Sequence, residues 1–240
     1  MKVIEIEPTN RCNAACLMCP RKALTRGKGQ MGFDTFREIA DKALAFGQTE
    51  GFNFSGIGEP LLNREMARFV AYVSPHTMTY LTTNGSLLTE KTVETLLEAG
   101  LGQLTVSFDG AESSDYERIM VGLDFRETTQ AIRRLVDLAD GRLDLLANVA
   151  VSELTREQLP AIRQRLKDLG VSNVIFSLCH SRGGALRDET ICDFHPPPLT
   201  RRCDIFADNT FVAWDGHVLA CCQDVAGTAV LGDLTTMSME

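Results

Sequence analysis

Short apolar runs recur along residues 3 to 178, and each is followed by a longer segment with helical spacing. The strand-like segments are 3–7, 51–55, 78–82, 103–107, 143–151 and 173–178. The segments with helical periodicity are 34–47, 63–73, 89–99, 126–138 and 155–169. Strands joined by helical crossovers predict a right-handed, mainly parallel α/β sheet.

Local signals support several of these helix boundaries. Asp34 and Thr89 each precede a helical run and are expected to cap its first turn. Gly100 and Gly170 are expected to end helices, because glycine tolerates the left-handed backbone that often follows a last turn.

The pattern changes near residue 181, which predicts a core over residues 1–180 and a small module over 181–240. Gly183 and Gly184, followed by the proline run 196–198, break the alternation of strands and helices. Within the module, 210–214 and 217–220 are predicted to form a β-hairpin through Asp215 and Gly216.

Composition narrows the class of protein. With 240 residues, 44% hydrophobic and 23% charged, the chain can bury one substantial core. The net charge of -8 argues against a nucleic-acid or anionic-membrane partner, because both favour basic surfaces. We find no long apolar span and no leader-like start, so a soluble, cytoplasmic protein is expected.

Three cysteines on one short loop carry the main chemical signal. Cys12, Cys16 and Cys19 follow the first strand with CxxxCxxC spacing. Three thiolates can hold three irons of a cubane cluster and leave the fourth iron open to a substrate or cofactor. The alternatives are a zinc site, which needs a fourth ligand although the first histidine is His76, or three buried thiols.

Further turns follow later strands, in the same way that the cysteine loop follows the first strand. They are 56–60 with the pattern GxGEP, 83–85 and 107–110. Over residues 3 to 180 the chain resembles the radical S-adenosylmethionine (SAM) superfamily. The resemblance implies a partial (β/α)6 TIM-like barrel, a 4Fe-4S cluster that binds SAM, and an external one-electron donor such as flavodoxin or ferredoxin.

The resemblance also assigns cofactor contacts. It implies that backbone groups near the two glycines approach SAM, that Pro60 stiffens the turn, and that Ser107 binds the SAM carboxylate. Related enzymes carry an arginine where this chain has Met120, so Arg118 is a substitute candidate. The full set of expected contacts is Gly56, Gly58, Glu59, Pro60, Asn84, Ser107, Asp109, Arg118 and Asn148.

A second metal site is expected in the C-terminal module. Cys203, Gly216 and Cys221 match the first half of the SPASM and twitch pattern, which implies an auxiliary 4Fe-4S cluster. Cys192 and Cys222 are further candidate ligands, although adjacent side chains on a strand point to opposite faces. Because 235–240 resembles a helix start, a truncated SPASM or a twitch module is expected.

The favoured function is a radical SAM oxidoreductase or modifying enzyme acting on a small molecule or a peptide. Hydrogen abstraction by a 5'-deoxyadenosyl radical would be followed by oxidation, for example dehydrogenation, with the auxiliary cluster accepting an electron. One alternative is an epimerase in which Cys179 returns a hydrogen to the substrate. Another is a non-catalytic iron-sulfur or zinc scaffold, which would not bind SAM.

Overall fold

A single nine-stranded sheet forms the centre of the protein, for which the computed structural model describes residues 3–188, 190–192 and 203–239. The strands are β1 Val3–Ile6, β2 Gly51–Phe54, β3 Met78–Thr83, β4 Gln103–Ser107, β5 Asp144–Val151, β6 Asn173–Leu178, β7 Asn209–Val212, β8 His217–Leu219 and β9 Val230–Asp233. Their order across the sheet is β6-β5-β4-β3-β2-β1-β7-β8-β9.

Helices connect the first six strands. They are α1 Phe33–Ala45, α2 Met66–Val73, α3 Glu90–Glu98, α4 Ser113–Ile119, α5 Phe125–Ala139 and α6 Leu159–Asp168, and a short α7 Asp204–Asp208 precedes β7. Strands β1 to β6 pair in parallel with their sequence neighbours. This is the predicted partial (β/α)6 barrel, and the six predicted strands are confirmed.

The core lies between the sheet and its helices. Alternate strand residues such as Ile4 and Phe54 are fully buried and belong to the same apolar cluster as the inner faces of the helices. Phe36 of α1 stacks on Phe69 of α2 with ring centroids 4.2 Å apart. Because a strand has a period of two, the intervening residues face the opposite, concave side of the sheet.

The predicted helix ends are mostly correct. Thr89 accepts a hydrogen bond from the Thr92 amide at 3.1 Å and caps α3. Gly100 and Gly170 have φ of 83° and 93° after α3 and α6. The prediction for Asp34 is wrong, because α1 begins one residue earlier with Gly32 at the cap position and Asp34 in its first turn.

Other boundaries also differ from the prediction. Helices α2 and α6 begin three and four residues later than predicted, each after a turn or 3-10 segment. Helix α4 was not predicted, and it packs Tyr116 and Ile119 into the core beside the cysteine loop. Its seven residues span only about two turns, which is too short for a clear helical period.

The C-terminal segment continues the same sheet. Strand β7 pairs in parallel with β1, and β7, β8 and β9 then form antiparallel pairs. The predicted hairpin is confirmed, with Gly216 at φ 93° in its turn. Residues 235–239 form turn and irregular backbone instead of the predicted helix start. The proline run 196–198 lies outside the described residues.

Among the described residues, no helix combines the length and apolar character required to cross a membrane.

Candidate functional site

The cysteine loop opens into a cavity of about 210 Å³ at the carboxyl ends of the parallel strands, and we call this the first cavity. Cys12, Cys16 and Cys19 all line it and are free thiols. The predicted contacts that also line it are Gly56, Gly58, Glu59, Asn84, Ser107, Asp109 and Asn148. Side chains scattered over 137 residue positions, from Cys12 to Asn148 inclusive, therefore meet at one place, as expected for the mouth of a barrel.

Backbone hydrogen bonds hold the cysteine loop in position. The amides of Ala15 and Leu17 donate to the carbonyls of Val121 and Ile119 at 2.7 and 2.9 Å. The Arg21 guanidinium donates to the carbonyl of Cys12 at 3.2 Å and to that of Ala14. The unpredicted helix α4 thus positions the loop, through Ile119 at its last turn.

Burial controls the protonation of the thiols. It raises the pKa of Cys12, and it raises the pKa of Cys16 to about 12, with Cys19 as the next contribution. Without a metal these two thiols are protonated at neutral pH, so metal binding must release protons.

The donor set fits a cubane better than a single metal ion. Across residues 3–188, 190–192 and 203–239, no group of three or more His, Cys, Asp and Glu side chains converges as a single ion requires. A cubane takes one cysteine per iron, so its ligand sulfurs stand apart around a larger object. Three thiols on a cavity wall, with space beside them, match that arrangement.

The glycine-rich turn lies against the cysteine loop. Gly56 has φ of 134°, which only glycine adopts readily. A side chain on Gly58 would place its Cβ 2.1 Å from the Thr9 carbonyl oxygen and 2.6 Å from that of Arg11. The close approach of two backbones therefore requires glycine at position 58, and Pro60 is buried at the start of the next 3-10 turn.

Glu59 ties this turn to the end of β3. Its buried carboxylate accepts hydrogen bonds from the Thr83 hydroxyl at 2.7 Å, the Asn84 amide at 2.8 Å and the Leu61 amide at 3.1 Å. Burial raises the pKa of Glu59, and these donors oppose that shift. The carboxylate thus organises the cavity wall as well as lining it.

The other predicted contacts form a polar wall. The Asn84 side chain donates to Asn13 at 2.9 Å, beside the cysteine loop. Asp109 is buried and accepts a hydrogen bond from the Ala150 amide at 2.6 Å, and burial raises its pKa to about 7. Asn148 accepts from the Ser177 hydroxyl at 2.5 Å. Ser107 lies at the end of β4 on the same wall.

The two candidate arginines lie in different places. Arg118 pairs with Asp115 at 3.0 Å, is half exposed and does not line the first cavity, whereas Met120 does. Arg182, which the sequence analysis did not assign, is the one Lys or Arg among the described residues of the first cavity. Its sequence signal was its position shortly after the last barrel strand, which ends at Leu178, next to two glycines.

Cys179 and Cys192 form a disulfide with their Cα atoms 5.5 Å apart. This pairing differs from both roles expected from the sequence, because a disulfide sulfur carries no hydrogen to donate and is not a thiolate ligand. In this form neither cysteine is available as a hydrogen donor or as an iron ligand.

The remaining cysteines are free thiols in the C-terminal segment. Cys203 is exposed at the start of α7, and Cys221 and Cys222 are partly buried. Strand β8 ends at Leu219, before this pair, so the strand geometry that would force the two side chains to opposite faces does not apply. Burial, followed by the charge of Glu5, raises the pKa of Cys222 to about 12.

The sequence profile of the Radical SAM superfamily matches residues 6–166, which include the cysteine loop and the strands around it. The chain belongs to the radical SAM superfamily. Membership of this superfamily implies a 4Fe-4S cluster and SAM binding.

Two curated relatives of this radical SAM chain carry different names. A tungsten-containing aldehyde ferredoxin oxidoreductase cofactor-modifying protein from Pyrococcus furiosus is 27% identical over 182 residues, covering 74% of this chain and 51% of the relative. A probable GTP 3',8-cyclase from Methanococcus maripaludis is 30% identical over 165 residues, covering 68% of this chain and 54% of the relative. The chain thus spans about half the length of the curated relatives it matches.

Solved structures share the fold. BtrN in complex with AdoMet and 2-DOIA has a TM-score of 0.64 at 21% identity, covering 97% of this chain and 78% of that chain. The enzyme anSMEcpe with AdoMet and a peptide has a TM-score of 0.75 at 18% identity, covering 99% and 78%. SuiB from Streptococcus suis with its precursor peptide SuiA has a TM-score of 0.78 at 12% identity, covering 99% and 63%.

Proposed function

We propose that this protein reductively cleaves SAM at a 4Fe-4S cluster and uses the resulting radical to oxidise a bound substrate. The observation that carries the proposal is the convergence of three free thiols, the glycine-rich turn and the polar strand ends on one cavity. Superfamily membership supplies the chemistry that this convergence alone would leave open.

Each part of the first cavity has a role in the proposed reaction. Cys12, Cys16 and Cys19 hold three irons of the cluster, and the cavity beside them receives SAM. When bound, the cluster and SAM supply a 5'-deoxyadenosyl radical that removes a hydrogen atom from the substrate. The close packing at Gly58 holds the glycine-rich turn against the cysteine loop, and Glu59 holds that turn against β3, so that its backbone groups line the cavity.

The polar wall orients the cofactor. Asn84, Ser107 and Asp109 offer hydrogen-bonding groups at or just after the ends of β3 and β4, and Asn148 offers one from the middle of β5. These groups would bind the carboxylate, ribose and adenine of SAM. Arg118 stays a candidate for the carboxylate from sequence, but Arg182 faces the cavity and is the better-placed cation.

We also propose an auxiliary 4Fe-4S cluster in a C-terminal module formed by residues 181–240, with residues 1–180 as the catalytic core. Cys203 and Cys221 are its first ligands, and Cys222 is a further one, since the strand has ended before the pair. Cys192 can take part only after its disulfide with Cys179 is reduced. When bound by these cysteines, the auxiliary cluster would supply an acceptor for the electron of the substrate radical, and an external flavodoxin or ferredoxin would supply the electron for the first cluster.

The test uses the full chain, reconstituted anaerobically with iron and sulfide and reduced with dithionite. We expect 5'-deoxyadenosine to form from SAM, and we expect Cys16→Ala to abolish it. Ala15→Ser is the matched control, because residue 15 is exposed on the same loop and carries no thiol. Well-loaded protein that neither binds nor cleaves SAM would leave only a metal scaffold.

Iron counting tests the auxiliary cluster separately. The wild-type protein is expected to hold iron for two cubanes, and Cys203→Ala with Cys221→Ala should remove about half of it. If the double variant keeps the full iron content, the auxiliary cluster is absent or is held by other residues.

A further inference from the structure

A second cavity of about 390 Å³ lies on the concave face of the sheet, below the first. Its wall comes from the middle and the amino ends of the strands, with Val3, Gln103 and Asn209 at strand starts. This volume lies in the range of sites that enclose a small molecule.

The wall of the second cavity is uncharged, and it combines several polar side chains with the apolar surface of Val3, Tyr80 and Ile175. None of the described residues that line it is Asp, Glu, Lys or Arg. The interior of a closed barrel is normally packed with branched apolar side chains. Here the period of two instead places Asn53, Thr82 and Thr105 on the concave face, while Phe52 and Phe54 face the helices.

Several of these polar groups lack partners. The side chains of Asn53, Thr82, Gln103 and Thr105 make no hydrogen bond to another described residue. They are partly exposed, so water satisfies them in the free protein, and a ligand that displaces the water must supply equivalent hydrogen bonds. An apolar ligand would leave them unpaired at a cost in affinity.

The second cavity adjoins the first. Thr82 and Asn148 line both of them. The Glu5 carboxylate connects residues of the two cavities. It accepts a hydrogen bond at 2.6 Å from Ser55, which lines the first cavity, and another from Asn209, which lines the second. A group bound in the second cavity therefore lies next to the first cavity, where the proposed cluster and SAM would be held.

We propose that the second cavity binds a hydroxyl-rich small molecule, of the sugar or cyclitol kind, as the substrate. This inference rests on the proposed function, since it names the substrate class of that site. Threonine hydroxyls and the amides of asparagine and glutamine both donate and accept hydrogen bonds, as sugar hydroxyls do. Glu5, hydrogen-bonded to Ser55 and Asn209, is a carboxylate that can accept from a substrate hydroxyl near the boundary of the two cavities.

The test measures binding of two six-membered rings, myo-inositol and cyclohexanol, at millimolar concentration. Saturation-transfer NMR is recorded on the full chain after reconstitution and addition of SAM. We expect transfer to myo-inositol and none to cyclohexanol. We expect Asn53→Leu combined with Thr105→Val to weaken inositol binding by at least about tenfold, because two hydrogen-bonding groups are lost.

The control variant is Thr129→Val, which removes an exposed hydroxyl from the solvent side of α5. Circular dichroism and the melting temperature show that both variants are folded. Equal binding of the two rings, inositol binding unchanged in the double variant, or absence of inositol binding overturns the inference. Formation of 5'-deoxyadenosine in the same preparations reports on the proposed function, so failure of the substrate class and failure of SAM cleavage are distinguishable.

Discussion

The carboxylate of Glu59 accepts a hydrogen bond from the hydroxyl of Thr83 at 2.7 Å, and both side chains are buried. This contact fixes the glycine-rich turn after β2 to the end of β3. The cavity wall is therefore held by a side-chain link between neighbouring strands as well as by the sheet itself.

Removal of the Glu59 carboxylate should destabilise the protein. In Glu59→Ala the Thr83 hydroxyl and the Asn84 amide lose their buried acceptor, so we expect the free energy of unfolding to fall by at least about 2 kcal/mol. Urea denaturation of the apoprotein measures this. Glu59→Gln keeps one acceptor and should lose less, and equal stability of the alanine variant and the wild type would disprove the contact's role.

Substitution of Gly58 should disrupt the cofactor site. In Gly58→Ala the new methyl group meets the Thr9 and Arg11 carbonyls, so the cysteine loop must shift and the iron of the first cluster, about half of the total, is expected to be largely lost. Gly32→Ala is the matched control, because a Cβ at Gly32 has no atom within 4 Å. Full iron loading of Gly58→Ala would show that the loop tolerates the shift.

The ion pair between Arg26 and Glu7 should be important for folding. The guanidinium makes two hydrogen bonds of 2.5 Å to a fully buried carboxylate and a third to the Val225 carbonyl. In Arg26→Met the carboxylate stays buried without its partner, so we expect a loss of about 3–5 kcal/mol in unfolding free energy.

The control for that pair is the exposed one between Arg156 and Glu153. Arg156→Met should cost less than about 1 kcal/mol, because water screens exposed charges. Similar losses for the two variants, measured by urea denaturation, would contradict the assignment of the buried pair.

Asp109 should make the stability of the apoprotein depend on pH. Burial raises the pKa of Asp109 from its ordinary 3.8 to about 7, so the folded protein favours the protonated form. Its stabilising contribution is complete below pH 3.8 and is lost as the pH rises through about 7. Asp109→Asn removes this dependence.

We therefore expect the wild type to lose stability relative to Asp109→Asn between those pH values, by up to about 4 kcal/mol. Unfolding curves at a series of pH values provide the comparison, and Asp140→Asn at an exposed helix end is the control. Parallel stability curves for the wild type and Asp109→Asn would show that Asp109 does not titrate in this range.

The two arginines can be separated by mutation. Arg182→Gln should weaken SAM binding or substrate binding by at least about tenfold, because it removes the cation of the first cavity. Arg118→Gln should remain within about twofold of the wild type, since its partner is an exposed Asp115. Isothermal titration calorimetry with SAM measures the affinity of each variant. A larger loss of affinity in Arg118→Gln than in Arg182→Gln would show that Arg118 is the arginine that binds SAM.

Most of the barrel was predictable because its signals are local. Each strand has a short apolar run and a turn directly after it, and Thr89 caps its helix within three residues. Such signals do not depend on the rest of the fold. The cysteine loop and the glycine-rich turn are local in the same sense, so their positions at strand ends followed from the sequence.

The features that were missed depend on contacts between distant residues. Strand β7 pairs with β1 across about 200 positions, with Asn209 opposite Val3, and neither segment encodes that pairing locally. Arg182 reaches the first cavity only because the chain folds back after β6. The bond between Cys179 and Cys192 likewise depends on how the following loop returns.

Electron paramagnetic resonance of the reduced protein, with and without SAM, tests most directly whether one iron of the cluster is open. The account predicts that one component of the reduced 4Fe-4S signal changes when SAM is added and that this component is absent in Cys16→Ala, while the signal of the auxiliary cluster remains. A cluster signal that is identical with and without SAM would contradict it, because a cofactor bound to the open iron must alter the cluster's magnetic surroundings.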